Sequence, residues 1–191
     1  MEDWVTRALK RWPNVPALYG WLKLDRRGRW LIKGETIGRP QIVDVINRNY
    51  GVDERGCWYF QNGPQRGYME LERAPFILHA ADSPTGLRTH TQLSVTNVGE
   101  AFLDEDGGMY LQTEHGPGAL LDADLDWALA RMFFRTAPLN EAQVTTAISL
   151  PSGTRTELAL RMDGGDLAIH RLDKATAPER LGFVLDPKPP I

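Results

Sequence analysis

The 191-residue chain has one cysteine, Cys57, which excludes a disulfide framework and any metal cluster built on thiolates. It has no surplus of positive charge, since 22 Lys and Arg against 25 Asp and Glu leave a formal net charge of −3. Nucleic-acid binders gain affinity by neutralising phosphates with excess cations, so no nucleic-acid partner is expected. No apolar run approaches the roughly 20 residues that span a bilayer. The opening Met1-Glu2-Asp3-Trp4 has neither the basic nor the apolar region of a secretory signal. The expectation is a soluble, cytoplasmic protein with no membrane partner.

The common catalytic signatures are missing as well. There is no phosphate loop ending in Gly-Lys-Ser or Gly-Lys-Thr, no Gly-x-Gly-x-x-Gly after a strand, no His-Glu-x-x-His and no Gly-x-Ser-x-Gly. Asp122-x-Asp124-x-Asp126 has the spacing of a calcium loop, but Trp127 stands where that loop needs Gly and Phe133 where it needs Glu. The triplet reads instead as an acidic helix start. His79, His90, His115 and His170 are widely spaced, and Ser83 and Ser94 have no base near them in sequence. No catalytic residue, metal ligand or cofactor is assigned. Cys57, beside Trp58, reads as a buried structural thiol.

What is present is globular patterning. Trp4, Val5, Ala8, Leu9 and Trp12 recur at helical spacing over Asp3–Trp12 and stop at Pro13. Tyr19–Asp25 and Arg29–Lys33 read as a hairpin. The clearest helix runs from Pro40 to Asn49, with Ile42, Val43, Ile46 and Tyr50 as its apolar stripe and Gly51 as its stop. Strands follow at 57–61, 68–72 and 76–80. Asp82, Ser83, Pro84 and Gly86 mark a boundary over Ala81–Gly86, giving an α/β unit at 1–80 and a β-rich unit at 81–191. In the second unit, strands are read at 87–95, 100–103, 109–113, 118–122, 144–150, 156–162 and 166–172. One helix is read at Asp124–Arg135, and a Pro-rich tail over Pro187–Ile191.

One similarity crosses the boundary. Asp53-Glu54-Arg55-Gly56-Cys57-Trp58-Tyr59-Phe60-Gln61 and Asp104-Glu105-Asp106-Gly107-Gly108-Met109-Tyr110-Leu111-Gln112 match at five of nine positions, and each is followed by a Gly-Pro pair, Gly63-Pro64 or Gly116-Pro117. The fold class expected is therefore α+β, with two related antiparallel sheet-plus-helix units, the second mostly β.

The run Gly28-Arg29-Trp30-Leu31-Ile32-Lys33-Gly34-Glu35-Thr36-Ile37-Gly38-Arg39-Pro40, a short helix, then Asp53-Glu54-Arg55-Gly56 and Pro75-Phe76, resembles an uncharacterised proteobacterial family of unknown function. The resemblance covers residues 20–125. It implies a duplicated α/β core, a C-terminal half like a pleckstrin-homology barrel, a ligand at the interface of the halves and a part in signal transduction. The turn Asn62-Gly63-Pro64-Gln65-Arg66-Gly67 departs from that family's pattern, as a sister family would.

Two features stand out as ligand candidates. The helix at Pro40 has Arg39 at its cap position, a cation beside the positive end of a helix dipole. The hairpin tip Gln61-Asn62-Gly63-Pro64-Gln65-Arg66 gathers three side-chain amides and a guanidinium. His115, on the second hairpin's turn, joins them. The leading reading is a non-enzymatic binding or regulatory protein for a small anionic or nucleotide-like ligand at the interface of its halves, held by Arg39, Gln61, Asn62, Gln65, Arg66 and His115. The alternatives are a protein-interaction module using a sheet edge or an aromatic patch, and a hydrolase or transferase using paired carboxylates such as Glu70, Glu72 or Glu114.

Overall fold

The structure, a computed structural model, describes Trp12, residues 16–83 and residues 85–190. The helix read over Asp3–Trp12 lies, apart from Trp12, outside the described residues. The fold is α+β. It divides into two units, one formed by the chain up to Pro75 together with Gly182 onward, the other by Phe76–Leu181.

In the first unit, β1 (Ala17–Leu24), β2 (Trp30–Ile32) and β3 (Glu35–Thr36) form one antiparallel meander. After α1 (Pro40–Arg48), β4 (Tyr50–Val52), β5 (Trp58–Asn62) and β6 (Gln65–Leu71) form a second. All six strands lie in one sheet, in the order β3-β2-β1-β6-β5-β4. The meanders join through a parallel pairing, with Ala17 opposite Arg66 and Leu24 opposite Leu71. Parallel neighbours need a long crossover, which α1 supplies. The sheet is therefore mixed, where the patterns implied antiparallel pairing alone.

Pro40 starts α1 because the N–H it lacks has no helical partner at that position. Ile46, 2% exposed, anchors the helix on the sheet, and the Trp30 indole N–H donates to Asn47 Oδ1 at 2.7 Å. The helix ends at Arg48, with Asn49 as its cap, before the Gly51 read as its stop. Gly51 instead lies in β4, opposite Tyr59.

The second unit begins with β7 (Phe76–Ala80), β8 (Leu87–Thr89), β9 (Val98–Leu103), β10 (Met109–Thr113) and β11 (Gly116–Leu120). Next come α2 (Leu125–Leu129), β12 (Met132–Phe134), β13 (Ala137–Pro138), α3 (Glu141–Ile148), β14 (Arg155–Met162), β15 (Gly165–Arg171) and α4 (Ala177–Leu181). Its nine strands run β13-β12-β14-β15-β9-β10-β11-β7-β8. The boundary read at 81–86 falls inside this unit, because β7 pairs with β8 and, in parallel, with β11.

Several readings in this unit are corrected. The helix read over Asp124–Arg135 ends at Leu129, and Met132 and Phe133 instead pair with Leu160 and Ala159 of β14. Residues 144–150, read as a strand from Val144, Thr145, Thr146 and Ile148, are mostly α3. There Asn140 Oδ1 accepts from the Gln143 N–H and Gln143 Oε1 accepts from the Asn140 N–H, and this capping box outweighs β-branched propensity. The strand read at 87–95 stops at Thr89. With α3 and α4 present, the unit has three α-helices among its described residues where one helix was read.

The repeated Asp-Glu-x-Gly segments have a common physical basis. Each Asp turns its carboxylate back onto two backbone N–H groups: Asp53 onto Arg55 and Cys57, Asp104 onto Asp106 and Gly108. The Gly takes φ of 77° at Gly56 and 83° at Gly107, a left-handed conformation that suits glycine. A third turn of the same build, Asp25 with Arg27, Arg29 and Gly28 (φ 78°), joins β1 to β2. The match continues in the strands. Tyr59 lies opposite Gly51 and Tyr68, and Tyr110 opposite Phe102 and Ala119; Phe60 faces Gly67 as Leu111 faces Gly118. The Gly-Pro pairs are not equivalent, since Gly63-Pro64 turns the first hairpin while Gly116-Pro117 opens β11. One pairing recurs in the two units: β11 pairs in parallel with β7 as β6 pairs with β1.

Gly67 and Gly118 sit where side chains from the neighbouring strand cross. A Cβ on Gly118 would stand 2.7 Å from Leu78 Cγ, and Leu78 is fully buried. Gly118→Ala is expected to cost about 1–3 kcal/mol in urea denaturation through overpacking. Gly99→Ala, whose Cβ would meet nothing closer than Gln112 O at 4.0 Å, should be near neutral. Equal effects at the two positions would contradict this account of the packing.

Candidate functional site

The helix-bearing face of the first sheet holds a pocket of about 320 Å³. Its floor is Leu22, Ile32 and Phe60, from β1, β2 and β5. One wall is Ile42, Val45 and Ile46 of α1, and Trp12 and Ile37 complete the apolar lining. Among the described residues its polar members are Arg39, Gln41 and Asn62, of which Arg39 is charged. The volume lies at the lower end of the ~300–1,000 Å³ range of small-molecule sites, and a mostly apolar wall with a few polar groups is their usual composition.

The start of α1 is part of this pocket. Arg39 has extended backbone (φ −84°, ψ 116°) and makes no side-chain cap, and the first turn carries no acid. Pro40 has no N–H, and those of Ile42 and Val43 both donate to the Arg39 carbonyl at 3.0 Å. Among the described residues that leaves the N–H of Gln41 at the positive end of the dipole. The helix end is therefore a narrower anion site than a full set of unbonded amides. Trp12 packs edge-on against Trp21, with ring centroids 6.3 Å apart, and among the described residues its indole N–H is buried without a partner.

The structure brings Arg39 and Asn62 to this pocket and sends the other candidates elsewhere. Side chains alternate along a strand, so Gln61 and Arg66, which pair with each other, lie on the opposite face. There Gln61 Nε2 donates to the Gly63 carbonyl at 2.7 Å, and Arg66 Nε donates to Gln61 Oε1 at 3.3 Å. The Arg66 guanidinium stacks 4.4 Å from the Tyr59 ring centroid. Gln65 pairs with Asn62 but does not line the pocket. Arg39 and Arg66 thus stand on opposite faces of the sheet. His115 belongs to the second unit, where its Nε2 lies 3.0 Å from the Ser94 carbonyl and 3.5 Å from Glu114 Oε1.

The face bearing Arg66 is aromatic and charged. Tyr19 and Tyr68 stack in parallel at 4.5 Å, Tyr59 meets Tyr68 edge-on at 5.8 Å, and the Tyr68 hydroxyl donates to Asp53 Oδ2 at 3.1 Å. Arg55 pairs with the same carboxylate oxygen at 3.1 Å. Burial alone would raise the Asp53 pKa, but hydrogen bonds from Cys57, Arg55 and Tyr68 outweigh it and hold the carboxyl below its ordinary value. Cys57 is 4% exposed, and burial pushes its thiol up, away from reactivity.

Several other candidates for chemistry are structurally engaged. Glu114 accepts from the Thr96 N–H, the Thr96 hydroxyl and the Asn97 N–H. Burial would raise its pKa, but these bonds lower it, the opposite of what a general acid needs. Glu72 accepts from the Arg26 N–H. His90 accepts the Ile77 N–H at Nδ1, and burial lowers the His79 pKa although Asp124 stands 3.8 Å away. Among the described residues no group of three His, Cys, Asp or Glu is arranged to hold a metal ion.

Reading by motif missed the apolar walls. The available signal was Val45, an exposed apolar residue (41%) beside Ile42 and Ile46 on a helix whose stripe was read as Ile42, Val43 and Ile46. An apolar residue outside the packed stripe marks a helix flank left open.

The fold and pocket are those of an α+β protein of an uncharacterised class. The family model DUF2944, with the description "Protein of unknown function (DUF2946)", matches residues 1–188, and the chain belongs to that family. The resemblance read from the sequence, to an uncharacterised family, holds. No curated protein matches the chain. A DUF1285 family protein from Silicibacter pomeroyi DSS-3 shares the fold, at 14% identity and a TM-score of 0.55 over 83% of each chain. A DUF1285 family protein from Shewanella baltica OS155 is 18% identical, with a TM-score of 0.41 over 53% of this chain and 84% of its own.

Asp53, Glu105 and Glu114 all have lowered pKa values. A carboxyl whose folded pKa is depressed adds stability above its unfolded value and loses it as pH falls through the folded value. Unfolding free energy is therefore expected to drop as pH falls below about 4.5, the ordinary Glu value. Asp53→Asn should make that drop shallower. An unchanged slope in this variant, measured by urea denaturation across pH, would remove Asp53 from the effect.

Proposed function

We propose that the chain is a non-enzymatic binding or regulatory module whose first unit takes a small anion with an apolar body. The observation that supports this reading is the pocket beside α1, whose described lining residues are mostly apolar and include the Arg39 guanidinium and the amides of Gln41 and Asn62. The positive end of the helix dipole adds to the field of Arg39, and no acid in the first turn opposes it. Anions with planar or aliphatic bodies, nucleotide-like ones included, fall within this reading. Signal transduction and a cytoplasmic setting go with it, and a single buried thiol suits that compartment. The same reading treats the two units as products of an internal duplication, supported by the recurring parallel pairing and by the matching Asp turns.

Thermal shift followed by calorimetry, with nucleotides, sugar phosphates and carboxylates, tests the proposal. At least one class should raise the melting temperature. A charge-assisted hydrogen bond contributes about 1.5–3 kcal/mol, so Arg39→Ala should weaken that ligand roughly ten- to a hundredfold. Arg39 is exposed, so the variant should melt like the parent in the absence of ligand. No shift across the panel, or unaltered affinity in the variant, would overturn the proposal.

A further inference from the structure

We propose that the tyrosine-bearing face of the first sheet holds a site for a phosphate monoester, built from Arg55, Arg66 and the Tyr19 and Tyr68 hydroxyls. It lies on the face opposite the α1 pocket and is independent of the reading above. Two guanidiniums meet at the Tyr68 hydroxyl. Arg66 precedes Tyr68 by two residues in β6, on the same side of the strand, and its bond to that hydroxyl is the chief cause of a raised Arg66 pKa. Arg55 comes from the turn between β4 and β5. Its Nη2 lies 3.4 Å from the Tyr19 hydroxyl and 3.1 Å from Asp53 Oδ2, the oxygen that accepts from Tyr68. The parallel stack of Tyr19 on Tyr68 puts both hydroxyls within reach of that one guanidinium.

Both arginines are exposed, and neither is consumed by the contacts that fix it. Arg55 meets Asp53 through Nε and Nη2, which leaves its Nη1 without a partner among the described residues. The partners of Arg66 among the described residues are neutral: the Gln61 amide oxygen at 3.3 Å, the Tyr59 ring and the Tyr68 hydroxyl. A guanidinium held by neutral groups keeps an uncompensated charge, and it has already lost the freedom that binding would otherwise cost it. The Tyr19 hydroxyl accepts from Arg55 and so has its own proton to donate. A phosphate monoester matches these donors, with two negative charges for two cations and three terminal oxygens for donors that share no plane. A carboxylate brings one charge and two coplanar oxygens. The donors read the phosphate group itself, whether it comes on a small metabolite or on a phosphorylated side chain.

The test is calorimetry on the whole protein at low salt, well above the monoester's second pKa of about 6. Glucose 6-phosphate and a short phosphoserine peptide represent the two sources, and glucose 6-sulfate is the singly charged comparison. The phosphates should saturate, the tighter of them naming the source, and the sulfate should bind more weakly than glucose 6-phosphate. Arg55→Gln and Arg66→Gln should each weaken the phosphate about two- to fivefold, the modest range of exposed charge pairs, and Arg66→Gln should melt like the parent without ligand. Asp53→Asn keeps an oxygen for the turn's N–H groups but removes the opposing charge, so it should tighten both esters. Coulomb energy scales with charge, so the gain for the phosphate should be roughly the square of the gain for the sulfate. Arg39→Ala, on the other face, should change nothing. Binding lost in Arg39→Ala but kept in Arg66→Gln would move the phosphate to the α1 pocket and overturn this site. Sulfate bound as tightly as phosphate, weaker binding in Asp53→Asn, or no saturation by either phosphate at millimolar concentration would overturn it too, while the α1 reading keeps its own test in Arg39→Ala.

Discussion

A tight hairpin leaves backbone N–H groups pointing inward at its corner, where water reaches them poorly and the strands supply no acceptor. In three turns of this protein an aspartate carboxylate fills that role, folded back onto two amides while a glycine three residues on takes the left-handed conformation. The carboxylates are themselves withdrawn from water, Asp25 at 5% exposure and Asp104 at none. Their charge is balanced by close donors, which is the condition for keeping an ion in a folded interior. The register of each following strand pair is set at these corners. That register puts Phe60 and Asn62 on one face of the first sheet and Tyr59 and Gln61 on the other.

This alternation explains why the ligand candidates separate. A hairpin tip looks like one cluster in sequence, yet consecutive residues point to opposite sides of the sheet. Asn62 goes to the helix side and reaches the pocket. Gln61 and Arg66 go to the tyrosine side and are taken up by each other and by the Tyr59 ring. Strand periodicity was legible from the start, but which face α1 would cover depended on how β6 pairs with β1.

The fold was legible where local chemistry decides structure. Pro40 and the apolar spacing after it give α1, and the Asp-x-x-Gly corners give the hairpins. It was illegible where long-range pairing decides. Met132 and Phe133 fit the helical pattern of Leu125 and Leu129 until β14 claims them. Val144, Thr145 and Thr146 carry strand propensity, yet the reciprocal Asn140–Gln143 cap makes a helix. The five-residue α4 has little periodicity to read. The pocket was hidden because its walls are ordinary core residues whose concavity exists only once four strands and a helix are assembled. Two of its polar residues, Arg39 before Pro40 and Asn62 at the hairpin tip, were visible.

The first unit is also interrupted in sequence, and this bears on how the chain is made. The Leu71 N–H donates to the Leu185 carbonyl at 2.7 Å, and the Val184 N–H donates to the Gly56 carbonyl at 3.0 Å. Gly56 is held so closely that a Cβ there would lie 2.7 Å from the Gly182 carbonyl oxygen. These contacts form only after the whole of Phe76–Leu181 has left the ribosome. Domains otherwise mature in the order of synthesis, but here the unit that emerges first is completed last. The uninterrupted second unit can settle in the meantime. The final stretch then closes the earlier one, and a ribosome stalled anywhere before it releases a chain whose first unit lacks its closing segment.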